Sequence, residues 1–408
     1  MNKILISFVT VCFLFTSLLA QKVEKDRAHF VESTNEFYEN IKSALDDYYE
    51  VKKPATKKFK MDFMDLDLPK DINEFTYLWH SEPISQGRTG TCWSFCTTSF
   101  YESEIFRQTG RKIKLSEMHT VYWEYVEKAR RFVQKRGDSH FAEGSMANAV
   151  SRIWKKYGVV PAIDYPGLPD GQPYHDHKKM FNEMKAYLQS VKEMNLWNED
   201  DVQADIKSIL NFYMGEPPLK INYKDRNITP MEYLEGVLKL NLDNYIDLMS
   251  LKQEPYFKSA EYPVPDNWWH SQDYYNVPLD VFIQAINESV RRGYSVNIGG
   301  DVSEAGYDAN YEVAMIPSFD IPAAYIDEDA RQFRFSNNST TDDHGIHIVG
   351  HKKHNGNMWY LVKDSGSGAF NGQNKGYRFY HEDYVKLKIM DITIHRDIAK
   401  QILKESTE

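Results

Sequence analysis

Cys92 follows a loop that runs from His80 to Thr91, and the residues from Cys92 to Gln108 continue as an unbroken helical pattern stopped by Gly110. A cysteine so placed stands at a helix N-terminus. There, unpaired backbone N–H groups and the partial positive charge of the helix end favour the thiolate, which is the form of a thiol that attacks carbonyl carbon. Cys96, one turn further along the same helix, lacks that field and reads as a small buried hydrophobe. The spacing of the two is also one residue too wide for the usual thiol–disulfide exchange pair. A thiol nucleophile needs a base that is adjacent in space but not in sequence. Histidines crowd one late stretch, at His344, His347, His351 and His354. The steps of three change face along a strand, and neither a cysteine nor an HExxH pattern joins these residues, so no metal site and no cofactor is expected.

Gln86 lies six residues before Cys92, and Gly90-Thr91-Cys92-Trp93-Ser94-Phe95 resembles the nucleophile segment of papain-like cysteine peptidases. That resemblance implies an oxyanion hole made by the Gln86 side chain and the Cys92 backbone N–H. The run from Thr341 to Gly350 resembles the family's histidine strand, and Trp359 to Gly366 resembles the strand that carries the orienting residue. By this likeness His344 is the base and Asp364 orients it. Asp364 stands where the family usually has asparagine, Gly366 where it has tryptophan, and Thr89 where papain and the cathepsins have an upstream cysteine. A carboxylate orients an imidazole at least as strongly as an amide does.

Further segments are similar to the bleomycin hydrolase and aminopeptidase C branch: Leu115-Ser116-Glu117, Tyr122-Trp123, Tyr157 to Pro161, Tyr165-Pro166 and Gly299-Gly300-Asp301-Val302. The likeness covers roughly residues 75 to 395. It implies an α+β, papain-like fold with a helical half, a β-barrel-like half and a helix-rich insertion. It also implies a peptide substrate trimmed from its N-terminus, and a homo-oligomer of six subunits around an inner channel. Glu143-Gly144-Ser145 resembles the family's substrate-binding Gly-Gly segment. Glu143 is either a solvated loop carboxylate or a contact for the substrate amine. In that branch the C-terminal tail lies in the cleft and holds this amine; here Ala399 to Glu408 does not resemble the family's ending. A non-catalytic peptide-binding protein on the same fold is the alternative.

The elements that must position these residues divide the chain. Residues 1–20 carry Lys3, an apolar run from Ile4 to Leu19, then Ala20, the layout of a secretory signal peptide. The run is shorter than the ~20 residues that span a bilayer, so export to a periplasmic or extracellular location is expected, with no stable membrane anchor. Residues 21–75 read as an N-terminal arm or pro-region, with one amphipathic helix over 27–50 and a lysine-rich linker after it. Residues 76–169 form the helical half around the nucleophile, with helices from Ser116 and from Ser145. Residues 170–277 read as a helix-rich inserted subdomain. Residues 278–408 begin with a helix and then carry short β-prone runs at 345–350, 357–363, 376–381 and 387–395. Helices early and strands late give an α+β fold. Of three cysteines only Cys92 and Cys96 follow the leader, too few for a disulfide framework. A net charge of -10 without a basic tract argues against nucleic acid as a partner.

Overall fold

The computed structural model describes residues 26–46 and 57–407; the expected leader at 1–20 lies outside them. The arm differs from the single helix expected over 27–50. Its described part is a strand, β1 (Ala28–Glu32), followed by helix α1 (Glu36–Asp46). Of the lysines expected to form a linker, Lys57 and Lys58 instead begin β2 (Lys57–Met61), which pairs antiparallel with β1, while Lys52 and Lys53 lie outside the described residues. The register explains the difference: Phe30 faces Phe59 and Glu32 faces Lys57, so an aromatic pair and an opposite-charge pair hold the two strands together.

After a short β3 (Thr76–Tyr77), the helical half contains α2 (Cys92–Thr109), α3 (Glu117–Gln134) and α4 (Ala147–Tyr157). Gly110 ends α2 in the left-handed region at φ 70°, and the Ser116 hydroxyl caps α3 by accepting from the His119 N–H. Residues Trp93 to Ile105 of α2 are buried on every side, which makes α2 the central helix between α3, α4 and the sheet.

Helices α5 (Lys178–Glu193) and α6 (Glu199–Met214) follow, then the hairpin of β4 (Ile221–Tyr223) and β5 (Arg226–Ile228) and a single turn, α7 (Pro230–Glu232). Met184, Leu188, Ile206 and Leu210 join Phe100, Tyr122 and Trp154 in one core, so this region is not a subdomain with a core of its own. The helix-rich stretch expected over 170–277 also ends early. Strands β6 (Tyr245–Met249), β7 (Lys258–Ala260) and β8 (Tyr274–Asn276) belong to the large sheet, because β6 buries Leu248 into the sheet-side core.

Helix α8 (Leu279–Arg291) leads into β9 (Val296–Gly300), β10 (Tyr307–Asp308) and β11 (Val313–Ala314). Helix α9 (Glu328–Ser336), β12 (His344–His354), β13 (Asn357–Lys363), β14 (Tyr377–His381), α10 (Glu382–Lys388), β15 (Ile389–His395) and α11 (Arg396–Thr407) complete the described chain. The sheet runs β10-β11-β14-β13-β12-β9-β15-β6-β8-β7, with β3 on β12, and is antiparallel except at β11/β14 and β6/β8. Its β12 and β9 strands lie against α2, while α8 and α11 pack together through the sheet's other apolar core, which takes in Ile398 and Ile402. The C-terminal residues expected as a tail are therefore a helix docked beside α8.

Candidate active site

Thr91 is the N-cap of α2 and makes no side-chain cap bond, so Cys92 opens the helix with its first N–H groups uncapped. Cys92 is half-buried and Cys96 fully buried, and both are free thiols. Burial pushes the Cys96 thiol well above its usual range, and its Sγ donates to the Trp93 carbonyl, as expected of an inert core thiol.

Strand β12 brings His344 to Cys92 because Gly345 has no side chain. A β-carbon there would lie 2.8 Å from Cys96 Sγ and 3.4 Å from Trp93 Cα, so the backbone of β12 rests directly on the first turn of α2. His344 Nε2 lies 2.7 Å from Asp364 Oδ1, and the ring also hydrogen-bonds the Cys92 thiol. Burial opposes a charged imidazole, but the Asp364 charge and hydrogen bond, with Cys92, outweigh it and raise the His344 pKa well above the usual value. Asp364 is buried, which opposes its ionisation; the His344 charge and hydrogen bond, Arg378 and the Gly366 N–H prevail and hold its pKa at about 2. A thiol, an imidazole and an ionised carboxylate are thus aligned in that order.

Gln86 completes the set. Its Nε2 donates to the Thr89 carbonyl at 2.7 Å, and its Oε1 accepts from the Ser365 hydroxyl at 2.8 Å. These bonds fix the amide and leave one Nε2–H for the groove that Gln86, Glu143, His344 and Gly366 line. A side chain at position 366 would begin 3.4 Å from the His344 ring, so glycine leaves that edge open to the groove. On the far side, Asp364 Oδ2 accepts from the Tyr307 hydroxyl at 3.2 Å, and Arg378 sits over the Tyr307 ring at 4.3 Å. Tyr307 and Arg378 therefore close the carboxylate from water in a chain without the family's tryptophan.

The expected substrate-binding residues are placed differently from one another. Glu143 lines the groove, but its Oε2 accepts from the Gly90 N–H at 2.8 Å, bracing the loop before the nucleophile. One of its two oxygens is thus engaged, and the half-buried carboxylate still faces the groove. The Gly144 carbonyl accepts from buried Lys128, and the Ser145 hydroxyl donates to Glu124 at 2.6 Å, so both face inward. His347 turns away from the site to the Ser99 hydroxyl, 3.0 Å distant. Beside it, Lys363 donates to Ser81 and Ser99, and burial lowers its pKa to about 8. Neither the Lys363 network nor the Tyr307–Arg378 pair has a local motif; the sequence signal for Lys363 and Arg378 is a single cation in an apolar strand.

All of these residues fall within the span matched by the family model described as the peptidase C1-like family, residues 31–408. The chain belongs to that family. Among peptidase C1-like relatives, it is 25% identical over 260 residues to aminopeptidase C of Listeria monocytogenes serovar 1/2a, covering 54% of this chain and 58% of that protein. It is 25% identical over 276 residues to aminopeptidase C of Streptococcus thermophilus, covering 57% and 62%. Those alignments span about three fifths of each relative's length. Aminopeptidase G of Lactobacillus delbrueckii subsp. lactis is 21% identical over 367 residues, 79% of this chain and 82% of that one. The fold of this peptidase C1-like chain is shared with PepW from Lactobacillus rhamnosis HN001, at a TM-score of 0.65 and 17% identity over 81% of this chain and 84% of that one. It is the papain-like α+β arrangement.

Proposed function

We propose that this protein is a cysteine peptidase that removes residues from the N-termini of peptides. The observation that carries the reading is the hydrogen-bonded line of Cys92, His344 and Asp364, whose His344 lines a groove. The names of its relatives support the aminopeptidase activity. Cys92 Sγ attacks the peptide carbonyl, and the oxyanion is held by the Cys92 N–H and the remaining Gln86 Nε2–H. His344 passes a proton to the leaving amine, then takes one from the water that hydrolyses the thioester. The leader-like pattern of residues 1–20 supports export of the protein before it acts.

Hydrolysis of unblocked and N-acetylated peptides by the protein and by Cys92→Ala, with products read by mass, tests this reading. Cleavage of unblocked peptides alone, abolished in the variant, is expected. Cleavage of both kinds means an endopeptidase, and cleavage of neither favours a peptide-binding protein.

A further inference from the structure

Beside Cys92, a second pocket lies between the Ser145–Ala147 loop and strands β9, β12 and β15. Four carboxylates line it: Asp266, Asp342, Asp343 and Asp391; of these Asp343 accepts from the Val302 N–H at 3.1 Å. Two glycines leave space for these side chains. A β-carbon at Gly299, which faces Asp391 across the β9/β15 pair, would lie 2.3 Å from Asp391 Oδ1 and 3.3 Å from Asp342 Oδ1. One at Gly144 would lie 2.0 Å from Asp266 Oδ2.

Asp391 is 2% exposed, and among the described residues neither its Oδ1 nor the Oδ1 of Asn297, also on the pocket wall, has a hydrogen-bond partner. Neither Asp342 nor Asp391 is in an ion pair among the described residues. Burial, with Asp247 adding, pushes the Asp391 carboxyl up to about 8, and burial with Asp391 and Asp266 carries Asp342 well above its usual range. Left alone, such carboxyls keep a proton, and a cation entering the pocket displaces it and pairs with the charged form. The unsatisfied atoms ask for a donor that is positively charged, and the pocket opens at the nucleophile.

We propose that Asp342 and Asp391, with Asp266 at the rim, form a specificity pocket for a primary ammonium group on the acyl part of the substrate. The ammonium comes from the peptide's free N-terminus or from a lysine side chain. The word substrate rests on the peptidase reading above, but the pocket does not. It lies apart from Glu143, which lines the groove and holds the Gly90 N–H.

The test is the rate at which dipeptidyl chloromethyl ketones ending in alanine alkylate Cys92, followed by intact mass. One pair compares acetyl-Lys-Ala with acetyl-norleucine-Ala; the other compares unblocked with acetylated Ala-Ala. An advantage of about tenfold or more for the cationic reagent of one pair is expected, falling to near unity in Asp391→Asn and in Asp342→Asn. The pair that responds identifies the source of the ammonium. Equal rates within both pairs, or an advantage that survives both substitutions, overturns the proposal. If Asp391→Asn does not fold, Asp342→Asn decides. Alkylation needs no turnover, so an ammonium preference without peptide hydrolysis sinks the peptidase reading and leaves the pocket standing.

Discussion

The Tyr307 hydroxyl lies 3.2 Å from Asp364 Oδ2, the carboxylate oxygen that His344 does not use. Oδ1 accepts from both His344 and the Gly366 N–H, and Arg378 approaches Oδ2 at 3.5 Å. Asp364 thus has donors on both oxygens, and the largest support for its charged form comes from His344, Arg378 and the Gly366 N–H.

That charge sets the pH range of the site. The Asp364 carboxylate helps hold His344 protonated well above its usual pKa, so Asp364→Asn keeps an acceptor for the ring but lowers the imidazole pKa. In pH–rate profiles of kcat/KM, the alkaline limb is expected to move to lower pH in Asp364→Asn, with a loss of roughly tenfold or less near neutrality. An unmoved alkaline limb would contradict the assignment of that limb to His344.

Gln86 is expected to act on the oxyanion alone. Gln86→Ala should lower kcat by roughly 10²–10³ with little change in KM, while the rate of Cys92 alkylation by iodoacetamide stays close to that of the parent. Ser365→Ala, which frees the Gln86 amide to rotate, should give a smaller loss of the same kind. Equal losses in hydrolysis and alkylation would instead place Gln86 in the support of the thiol.

The two thiols should differ completely in reactivity. In a Cys12→Ser background, intact mass after iodoacetamide should show one adduct per folded chain, retained on adding Cys96→Ala and lost on adding Cys92→Ala. Cys96→Ala should cost on the order of 1–2 kcal/mol by denaturant melts, the effect of a small core truncation. Two adducts in the folded Cys12→Ser protein would refute the burial of Cys96.

Gly345 can be tested through its contact. Gly345→Ala places a methyl 2.8 Å from Cys96 Sγ and should destabilise the fold by roughly 1–3 kcal/mol and reduce kcat, because it lifts β12 from α2. Adding Cys96→Ala should restore part of both, and a double-mutant cycle reads the coupling. Strict additivity of the two substitutions would mean that the contact does not transmit to the site.

The parts of the site that could be read from the chain alone are those with local signatures. The helix after Cys92 was expected over 92–108 and spans 92–109, because its start follows a loop and its stop is a glycine. The pairing of β1 with β2 and of β6 with β15 was not legible. A short charged segment such as Lys57–Met61 becomes a strand only when a distant partner supplies its hydrogen bonds. Tyr307 and Arg378 were missed for the same reason: each meets Asp364 from a different strand, and neither spacing nor type marks them. Asp391 carried a faint signal, a carboxylate within the apolar run Ile389-Met390-Asp391-Ile392, where a sheet interior ordinarily admits none.

The thiol and its base lie about 250 residues apart in the chain, and Gly345 must seat on α2 before they meet. At a ribosomal rate of roughly 5–20 residues per second, the thiol emerges some 10–50 s before the imidazole does. Throughout that interval the growing polypeptide holds a cysteine with no proton acceptor beside it. The site can therefore assemble only after strand β12 has been made, however early α2 forms.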